Sequence, residues 1–543
     1  MTQDNPIARS EALCLWCDRL VSAGIVCLIG FTPLAFGAVH PWAFCLMEAV
    51  IFLLLALWMA KLLLKRDWVV MPRAAAPMML VIAVIAFQLV RLPLPVVRML
   101  SPATSAIYVK ALADWPDNAQ VELSAHVSSR LVQNVAVLPT VEEVRQGAPV
   151  PFGPTTEGNI PDQDSSGPSK RAINVSARYS SRSWPLSIAP SLTRTALLKL
   201  LAYAGLFLLV VKYPFGRSGI DDERRFCRLV VVAALSTGLV VAVVALLQWS
   251  WWNGKLFGFF VPYDWGTARP EIRHSGGPFV DPDHLANYLA MIFPLALAGA
   301  IWRNAIMPGS WRVAFRILCS AGVIIMWSAL LLSLSRAGWI GALVGCVVLV
   351  SIVRLRFENV PAGCLIEPVK APALVAAVAG LFAVTIIALL LIGSGGRSRL
   401  DSRLEETLVH ETSLGEHVVL WEDSLGMVRD FPVLGVGLGC WSELFPHYHR
   451  PPWRSGRFVE THNDYLQLAT ETGLAGFAAL AWFFFHSLLR LFARDRLIAP
   501  SVRMTFAALV AGVAATAAHE FFDFNLQIPA NALLFTVILL SLA

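Results

Sequence analysis

Apolar residues fall in long runs along most of this chain, and short polar connections separate the runs. Each run has about 20 residues, the length that a helix needs to cross a hydrocarbon core of about 30 Å. Lipid offers no partner to unpaired backbone groups, so the runs are predicted to be helical. About twelve spans are predicted, near residues 20–37, 41–62, 74–91, 193–211, 227–249, 284–302, 313–333, 337–354, 372–394, 463–489, 502–519 and 526–543.

The composition supports an all-α integral membrane protein. The 543 residues are 57% hydrophobic and 15% charged, whereas soluble domains are about 45–50% apolar and about 25% charged. The net charge of +6 comes largely from Lys and Arg at the ends of the spans, so it indicates no nucleic-acid partner. The first apolar run is too long for a cleavable signal peptide and leads into further spans.

Basic residues mark one side of the predicted membrane. The connections after every second span are basic, as is the N-terminus, and all fall on one side if the spans alternate. The positive-inside rule makes that side cytoplasmic. The opposite face then receives three long connections, at 92–192, 250–283 and 395–462. In the first of them, the stretch between Asp114 and Ser187 is predicted from its composition to be partly extended or disordered.

These assignments divide the chain into five segments. Residues 1–91 are predicted to form N-terminal transmembrane helices, and residues 92–192 a periplasmic insert. Residues 193–394 form the central transmembrane helices. Residues 395–462 form a periplasmic loop with candidate catalytic residues, and residues 463–543 the C-terminal transmembrane helices.

Four polar clusters lie at or beside the outer face, at residues 273–288, 333–339, 460–465 and 519–525. Ionisable residues at membrane depth are costly, so each cluster is a candidate functional site. Arg336 lies in a very short outer turn, where the positive-inside bias disfavours a basic residue. A functional role is therefore favoured for Arg336 over snorkelling to lipid headgroups.

Helix capping and catalysis compete as explanations for the other clusters. Asp281 and the Thr461-His462-Asn463 segment could cap helices, and for Asp281 capping is favoured. His462 lies between Glu460 and Asp464, which could orient it as a general base.

No metal site is predicted from the sequence. The nine cysteines give no zinc motif or disulfide framework. His447 and His449 lie among arginines whose charge would repel a cation. The glycine-rich segment 435–439 follows no predicted strand, so it is interpreted as a close-packed turn rather than a nucleotide cradle.

These clusters resemble the O-antigen ligase/polymerase superfamily, in the expected order over about the last half of the chain. Ser275 to Asn287 is similar to its SGxFxNxNHxAxYL segment, and Leu332 to Gly338 to its LSxSRG turn. Its C-terminal signature is similar to residues 429–439, 460–467 and 471–476. Its DFNLQIPAN ending is similar to residues 523–531.

Two positions depart from the family pattern. His417 stands where the family usually shows an arginine, four residues before Trp421. Asp283-His284 replaces the family's Asn-His pair.

The resemblance implies a membrane glycosyltransferase of the GT-C type that needs neither metal nor cofactor. Such enzymes transfer a glycan from undecaprenyl pyrophosphate to a sugar acceptor on the periplasmic face of the bacterial inner membrane. The implied partners are the lipid-linked glycan, a glycan or lipid A-core acceptor, membrane lipids and other polysaccharide-assembly proteins. The implied products are O-antigen for lipopolysaccharide or an exopolysaccharide.

The same resemblance suggests roles for individual residues. Without a metal, arginines must neutralise the leaving pyrophosphate, and Arg336 is the first candidate and Arg273 the second. His462 is the candidate base, oriented by Glu460 or Asp464. The remaining candidate substrate-binding residues are His284, Asn287, Asn463 and Asp523. Three aromatic residues of the outer loops could stack on sugars or, equally, anchor the interface, namely Trp441, Trp453 and Phe458.

Several functional alternatives stay open. A polymerase extends one lipid-linked glycan with another, and a ligase moves it to lipid A-core or, in related enzymes, to a protein. Shared motifs do not separate the two, although the 92–192 insert hints at a capsule or exopolysaccharide polymerase. A transporter of small anions such as bicarbonate would be expected to show inverted repeats and midplane ionisable sites, and the sequence shows neither. A non-catalytic assembly partner is disfavoured by the presence of both Arg336 and His462.

Overall fold

The computed structural model describes residues 6–66, 71–111, 183–213, 220–262, 276–301, 309–357, 412–449, 458–494 and 500–541, with a few single positions between them. Within these ranges the regular backbone is almost entirely helical. Two short strands, β1 (Leu92–Pro93) and β2 (Ser183–Trp184), pair antiparallel. The prediction of an all-α membrane protein is confirmed at this level.

The described α-helices are numbered here in chain order. They are α1 (Pro6–Leu34), α2 (Pro41–Lys65), α3 (Ala75–Gln88), α4 (Leu94–Leu100), α5 (Pro102–Ala111), α6 (Pro190–Lys212), α7 (Ile220–Ser250), α8 (Pro282–Ile301), α9 (Arg312–Leu332), α10 (Arg336–Phe357), α11 (Thr412–Asp430), α12 (Trp441–Leu444), α13 (Asp464–Arg494), α14 (Pro500–His519) and α15 (Pro529–Ser541).

Eight of the described helices are long and apolar enough to cross a membrane, namely α1, α2, α6, α7, α8, α9, α10 and α13. Helix α3 and residues Pro529–Leu539 of α15 are shorter apolar helices at predicted spans. Helix α14 coincides with the predicted span 502–519. The predicted span 372–394 lies almost wholly outside the described residues, so the number twelve stays a prediction.

Helix α8 is the centre of the bundle. Its residues from His284 to Gly299 are all buried, as expected for a helix that is apolar on every face. It packs against α7, α9, α10, α14 and α15. A Cβ atom at Gly512 of α14 would lie 2.3 Å from the carbonyl oxygen of Met291, so the absent side chain lets the two backbones approach.

Capping fixes the start of α8. The backbone N–H of Asp283 donates to Oδ1 of Asp281 at 2.8 Å. This is the N-cap arrangement that the sequence favoured for Asp281, and it satisfies an otherwise unpaired donor of the first turn.

Helix α13 is broken at Gly473, whose φ of 64° and ψ of −176° are not helical. The loop 431–440 packs into this break. Val436 and Gly437 donate backbone hydrogen bonds to Thr470 and Glu471 at 3.1 and 3.0 Å. The bonds partly replace those lost at the break, and the glycine-rich segment is the close-packed turn that its sequence indicated.

An ion pair joins α1 to α2. Lys61 of α2, with 2% of its side chain exposed, pairs with Asp18 of α1. The hydroxyl of Tyr213, directly after α6, donates to the same carboxylate at 2.7 Å.

The chain separates into two units, Met1–Phe87 with Ala189–Ala543, and Gln88–Ile188. In the second unit, the hydroxyl of Tyr108 donates to the carbonyl oxygens of Pro185 and Ser187 at 3.0 and 3.1 Å. Most of the predicted insert, residues 112–182, lies outside the described residues, as does most of the stretch for which disorder was predicted.

Candidate active site

The segment before α13 and the segment after α14 lie side by side. The backbone N–H of Asp464 donates to the carbonyl oxygens of Glu520 and Asp523 at 3.1 and 3.2 Å. The amide of Asn463 donates to Phe521 at 3.2 Å. These bonds bring the third and fourth polar clusters of the sequence together.

His462 faces Asp523 across this junction. Its Nδ1 lies 3.6 Å from Oδ1 of Asp523, whose side chain is buried, while about a third of the histidine side chain (35%) is exposed. The other oxygen of Asp523 accepts a hydrogen bond from Asn525 at 2.9 Å and lies 3.7 Å from Nε2 of His519. The carboxylate is therefore held from both sides, and the imidazole that it orients can reach a ligand.

The carboxylates predicted to orient His462 have other partners. Asp464 accepts the backbone N–H of Leu526 at 2.9 Å and the amide of Gln527 at 3.1 Å. Glu460 accepts a hydrogen bond from Gln467. Among the described residues, the carboxylate within ion-pairing distance of His462 is Asp523, so the prediction for Glu460 and Asp464 is corrected.

The cause of this error is the backbone at His462. Residues two apart share a face in an extended segment, which made Glu460 and Asp464 natural neighbours of His462. His462 has a φ of +50° and so lies in the left-handed region, and Asp464 already belongs to α13. The simple alternation of side chains therefore ends at His462.

The charges around His462 and Asp523 lower the pKa of the aspartate and raise the pKa of the histidine, which favours the ionised pair. Burial alone would raise the pKa of Asp523, but the neighbouring histidines 462, 284 and 519 hold it at about 2. Burial lowers the pKa of His462, whereas Asp523 and the more distant Asp281 and Asp283 raise it, and the net result lies above its usual value. An imidazolium at His462 is thus stabilised by the ionised carboxylate of Asp523.

His417 of α11 stacks on His462, with ring centroids 5.0 Å apart and an interplanar angle of 18°. Burial lowers the pKa of His417 to about 4, and the charges of His462 and Arg336 act in the same direction. The residue that replaces the family's arginine is therefore neutral at physiological pH. His417 therefore presents the face of an uncharged ring to His462.

Arg336 is the first residue of α10 and is exposed. The turn before it is fixed by Ser335, whose hydroxyl accepts the backbone N–H of Gly338 at 3.0 Å. A cation at a helix N-terminus is disfavoured by the helix dipole. The charge of Arg336 also acts on His417, so the guanidinium lies near the site.

Two predicted substrate-binding residues lie in the protein interior. His284 is 6% exposed and Asn287 is fully buried in α8. The rings of His284 and His462 contact Phe524 edge-on, each at a centroid distance of 5.0 Å. The prediction of direct glycan contact is therefore corrected for His284 and Asn287, because the helices packed around α8 cover both side chains.

Asn463 serves as the N-cap of α13. Its Oδ1 accepts the backbone N–H of Leu466 at 3.0 Å, while its amide group is bonded to Phe521. Both the oxygen and the nitrogen of the side-chain amide thus form hydrogen bonds within the protein. The capping alternative for this segment, rather than substrate binding, fits the geometry.

The aromatic residues predicted to stack on sugars differ in their exposure. Trp441 is fully buried, stacks on Phe445 at 4.3 Å and donates to Ser424 at 3.2 Å, so it does not present a face to a sugar. Phe458 is half-buried against Phe445 and His449. Arg273 and Trp453 lie outside the described residues.

The sequence grouped His519 with Asp523 in one polar cluster but gave His519 no role, and it named Asp523 as a candidate substrate ligand rather than as the partner of His462. The signal was available in part, because the two residues are only four positions apart, on either side of the end of α14. Within the described ranges, no cluster of His, Cys, Asp and Glu has the geometry to hold a metal ion.

Comparison with known proteins identifies one part of the chain. A family model described as O-Antigen ligase matches residues 321–481. The matched stretch contains Arg336, His417 and His462, and it confirms the resemblance to the O-antigen ligase/polymerase superfamily. No curated protein matches the chain.

Proposed function

From the O-antigen ligase domain at residues 321–481, we propose that this multi-pass membrane protein is a glycosyltransferase that moves a glycan from undecaprenyl pyrophosphate to a sugar acceptor. The observation that carries the proposal is the His462–Asp523 pair, with Arg336 acting on the same group of residues. The pair supplies a base, and the arginine supplies a cation for a phosphate leaving group.

The reaction is assigned to the periplasmic face of the bacterial inner membrane. The alternating basic connections favour a cytoplasmic N-terminus, which puts the turn at Arg336 and the segment at His462 on the outer side. A donor already on a lipid in the outer leaflet would meet both residues there. No nucleotide cofactor is required by this assignment.

His462 is the base for the acceptor. Its Nδ1 faces Asp523, which leaves Nε2 for the acceptor hydroxyl. As the hydroxyl oxygen attacks C1 of the donor sugar, Nε2 takes its proton and Asp523 stabilises the resulting imidazolium. Asp523 also holds the ring in one tautomer and orientation.

Arg336 acts on the leaving group. The bond between C1 and the pyrophosphate oxygen breaks during the attack, and the lipid pyrophosphate departs with negative charge. The guanidinium donates charge-assisted hydrogen bonds to that oxygen or its neighbours. Attack opposite the leaving lipid inverts the anomeric centre.

The experiment compares undecaprenyl-linked glycans and surface polysaccharide on a sizing gel from wild-type, deletion, His462→Ala and Arg336→Ala strains. Two exposed residues provide matched controls, His447→Ala and Arg312→Ala. The wild-type and control strains should retain long glycans, whereas the two site variants should match the deletion strain at normal protein levels in the membrane.

The same gel separates the two enzyme types. In a polymerase mutant, single repeat units stay on the lipid carrier and long chains vanish. In a ligase mutant, long chains persist on the carrier and never reach an acceptor. If no strain differs from wild type in either pool, the glycosyltransferase proposal is wrong.

The alternative functions are less well supported. A transporter finds no support in the family match. A non-catalytic assembly partner would keep working after His462→Ala or Arg336→Ala, provided that the protein still reached the membrane. Loss of glycan transfer in these variants would exclude it.

A further inference from the structure

Gln467 of α13 holds the segment that carries His462. Its side chain is buried, with 3% exposed. Its Oε1 accepts the backbone N–H of Thr461 at 3.0 Å and the hydroxyl of Thr461 at 3.3 Å. A buried backbone N–H needs a partner, and here a side chain of the following helix supplies it. Because Thr461 directly precedes His462, these bonds fix the chain at the entry to the residue with positive φ.

The other end of the Gln467 amide is also held. Its nitrogen donates to the carboxyl groups of Glu460 and, at 3.5 Å, of Glu471, which lies one turn further along α13. A backbone N–H can only donate, so the amide oxygen must be the end that faces Thr461. The two carboxyl groups occupy the nitrogen end and so keep the amide in this orientation.

Glu471 connects this arrangement to the break in α13. Its two carboxyl oxygens accept the backbone N–H groups of Gly439 and Trp441 at 2.8 and 3.1 Å. Its side chain is 2% exposed, so the bonds are shielded from water. The loop that packs into the break is therefore joined through Glu471 and Gln467 to the segment that carries the candidate base.

The backbone around His462 depends on these side chains. A residue other than glycine keeps a positive φ only where its surroundings enforce that conformation. The hydroxyl of Thr461 donates to the carbonyl of Asn463 at 2.7 Å and accepts its N–H at 3.1 Å, which closes a tight turn over His462. Gln467 anchors this turn to α13, so losing it frees the turn to rotate.

We propose that Gln467 is a positioning residue for the general base, and that its bond to Thr461 keeps the ring of His462 against Asp523. The inference rests on the proposed function, which makes His462 the base. The effect of Gln467 on the ring is carried by the backbone of Thr461, since that is the group it bonds in the His462 segment. It needs no contact with the reacting atoms.

The test is the titration of His462, followed by NMR of the full-length protein with isotope-labelled histidine in detergent. The signal is assigned by its loss in His462→Ala. Gln467→Met keeps the length of the side chain and removes its oxygen and nitrogen. It should lower the pKa of His462, because the ring moves away from the carboxylate of Asp523 that raises it. Ser487→Ala, which removes a buried hydroxyl bonded within α13, should titrate like wild type.

The other charged and titratable groups that act on His462 are the same in these variants. They are Asp281 and Asp283 at the start of α8 and His417 on α11. A lower pKa in Gln467→Met therefore reports a movement of the ring. Asp523→Asn should also lower the pKa, and adding Gln467→Met to it should cause no further fall, because both changes remove the same interaction.

Two conservative variants separate positioning from a general loss of structure. Gln467→Glu retains an oxygen for the N–H of Thr461, so the pKa of His462 should equal or exceed the wild-type value. Gln467→Asn keeps the amide but shortens its reach, so the pKa should fall, and it replaces Gln467→Met if thermal unfolding shows that variant to be unfolded. An unchanged pKa in the folded Met or Asn variant, or a further fall in the double variant, would overturn the proposal.

Transfer kinetics give the second readout. Gln467→Met should lower kcat by about tenfold to a hundredfold, the cost of a misplaced catalytic group, and leave KM close to the wild-type value. A higher KM with unchanged kcat would place Gln467 in substrate binding and overturn the positioning role. If wild-type protein transfers no glycan, the proposed function fails, whereas the titration still decides whether Gln467 positions His462.

Discussion

At the scale of single residues, the site depends on a histidine with an unfavourable backbone. His462 has a positive φ, which costs about 1–3 kcal/mol for a residue with a side chain. The conformation turns the ring away from its sequence neighbours and toward Asp523. Such strain persists only where the surroundings enforce it, and here Trp421 also binds the carbonyl of Thr461 at 3.1 Å.

Replacing Asp523 with asparagine should slow transfer by about 10²-fold or more, because the imidazolium loses its counter-charge and the ring its fixed tautomer. The measurement is the initial rate of glycan transfer by the purified variant at matched protein concentration. Asp430→Asn, an exposed carboxylate on α11, serves as the control. A rate for Asp523→Asn within a few-fold of wild type would remove Asp523 from the mechanism.

The pH profile follows from the raised pKa of His462. A general base works only when deprotonated, so the rate should fall as the pH drops through the pKa of His462. The midpoint should lie above 6.5, the ordinary value for histidine. Because Asp523 stabilises the protonated ring, Asp523→Asn should move the midpoint to lower pH. A midpoint that stays fixed or rises in this variant would contradict the assigned base.

Among residues, the sequence indicated Arg336 and His462 as site candidates, since charges at membrane depth are rare, and both lie in the matched stretch. The pairing of His462 with Asp523 was not predictable from the sequence. The two residues are 61 positions apart, and their contact depends on how the start of α13 meets the end of α14. The hydrophobic pattern of the two helices does not indicate how the start of α13 and the end of α14 are aligned.

At the scale of elements, the break in α13 positions the site-bearing segment. A continuous apolar run predicted one uninterrupted span at 463–489, and apolarity alone does not reveal a break. The close contact between Gly473 and Val433 explains it. A Cβ atom at Gly473 would lie 2.4 Å from the backbone of Val433.

Gly473→Ala should therefore destabilise the protein by about 1–3 kcal/mol or prevent folding, because an alanine tolerates neither the positive φ nor the contact. Thermal unfolding in detergent measures the effect. Gly415→Ala on α11 is the control, since no atom lies within 4 Å of its added Cβ and alanine favours a helix. If both variants unfold at the wild-type temperature, the break at Gly473 does not contribute to stability.

At the scale of the whole molecule, the spans were largely predictable because the bilayer fixes their length. The buried pair of Lys61 and Asp18 was not, since it joins two helices whose neighbourhood the sequence does not state. Similarly, α8 was predicted as one span among many, and its central place follows only from packing. The few polar side chains of α8, such as His284 and Asn287, are therefore interior.

Asp18→Ala should lower the stability of the bundle by about 3 kcal/mol, because it removes the carboxylate that pairs with the buried Lys61. The double variant Asp18→Leu/Lys61→Met should recover much of the loss, since replacing both charges removes the desolvation cost. Unfolding midpoints of the three proteins in the same detergent provide the comparison. Equal destabilisation of the single and double variants would show that the pair contributes through packing alone.

The most direct test of the central claim is the release of undecaprenyl pyrophosphate by the purified protein from a lipid-linked glycan, with acceptor present and divalent ions chelated. Wild type and Arg312→Ala should release the carrier, whereas release by His462→Ala and Arg336→Ala should be strongly reduced. Release by His462→Ala at the wild-type rate, or no release by folded wild-type protein given donor and acceptor, would contradict it.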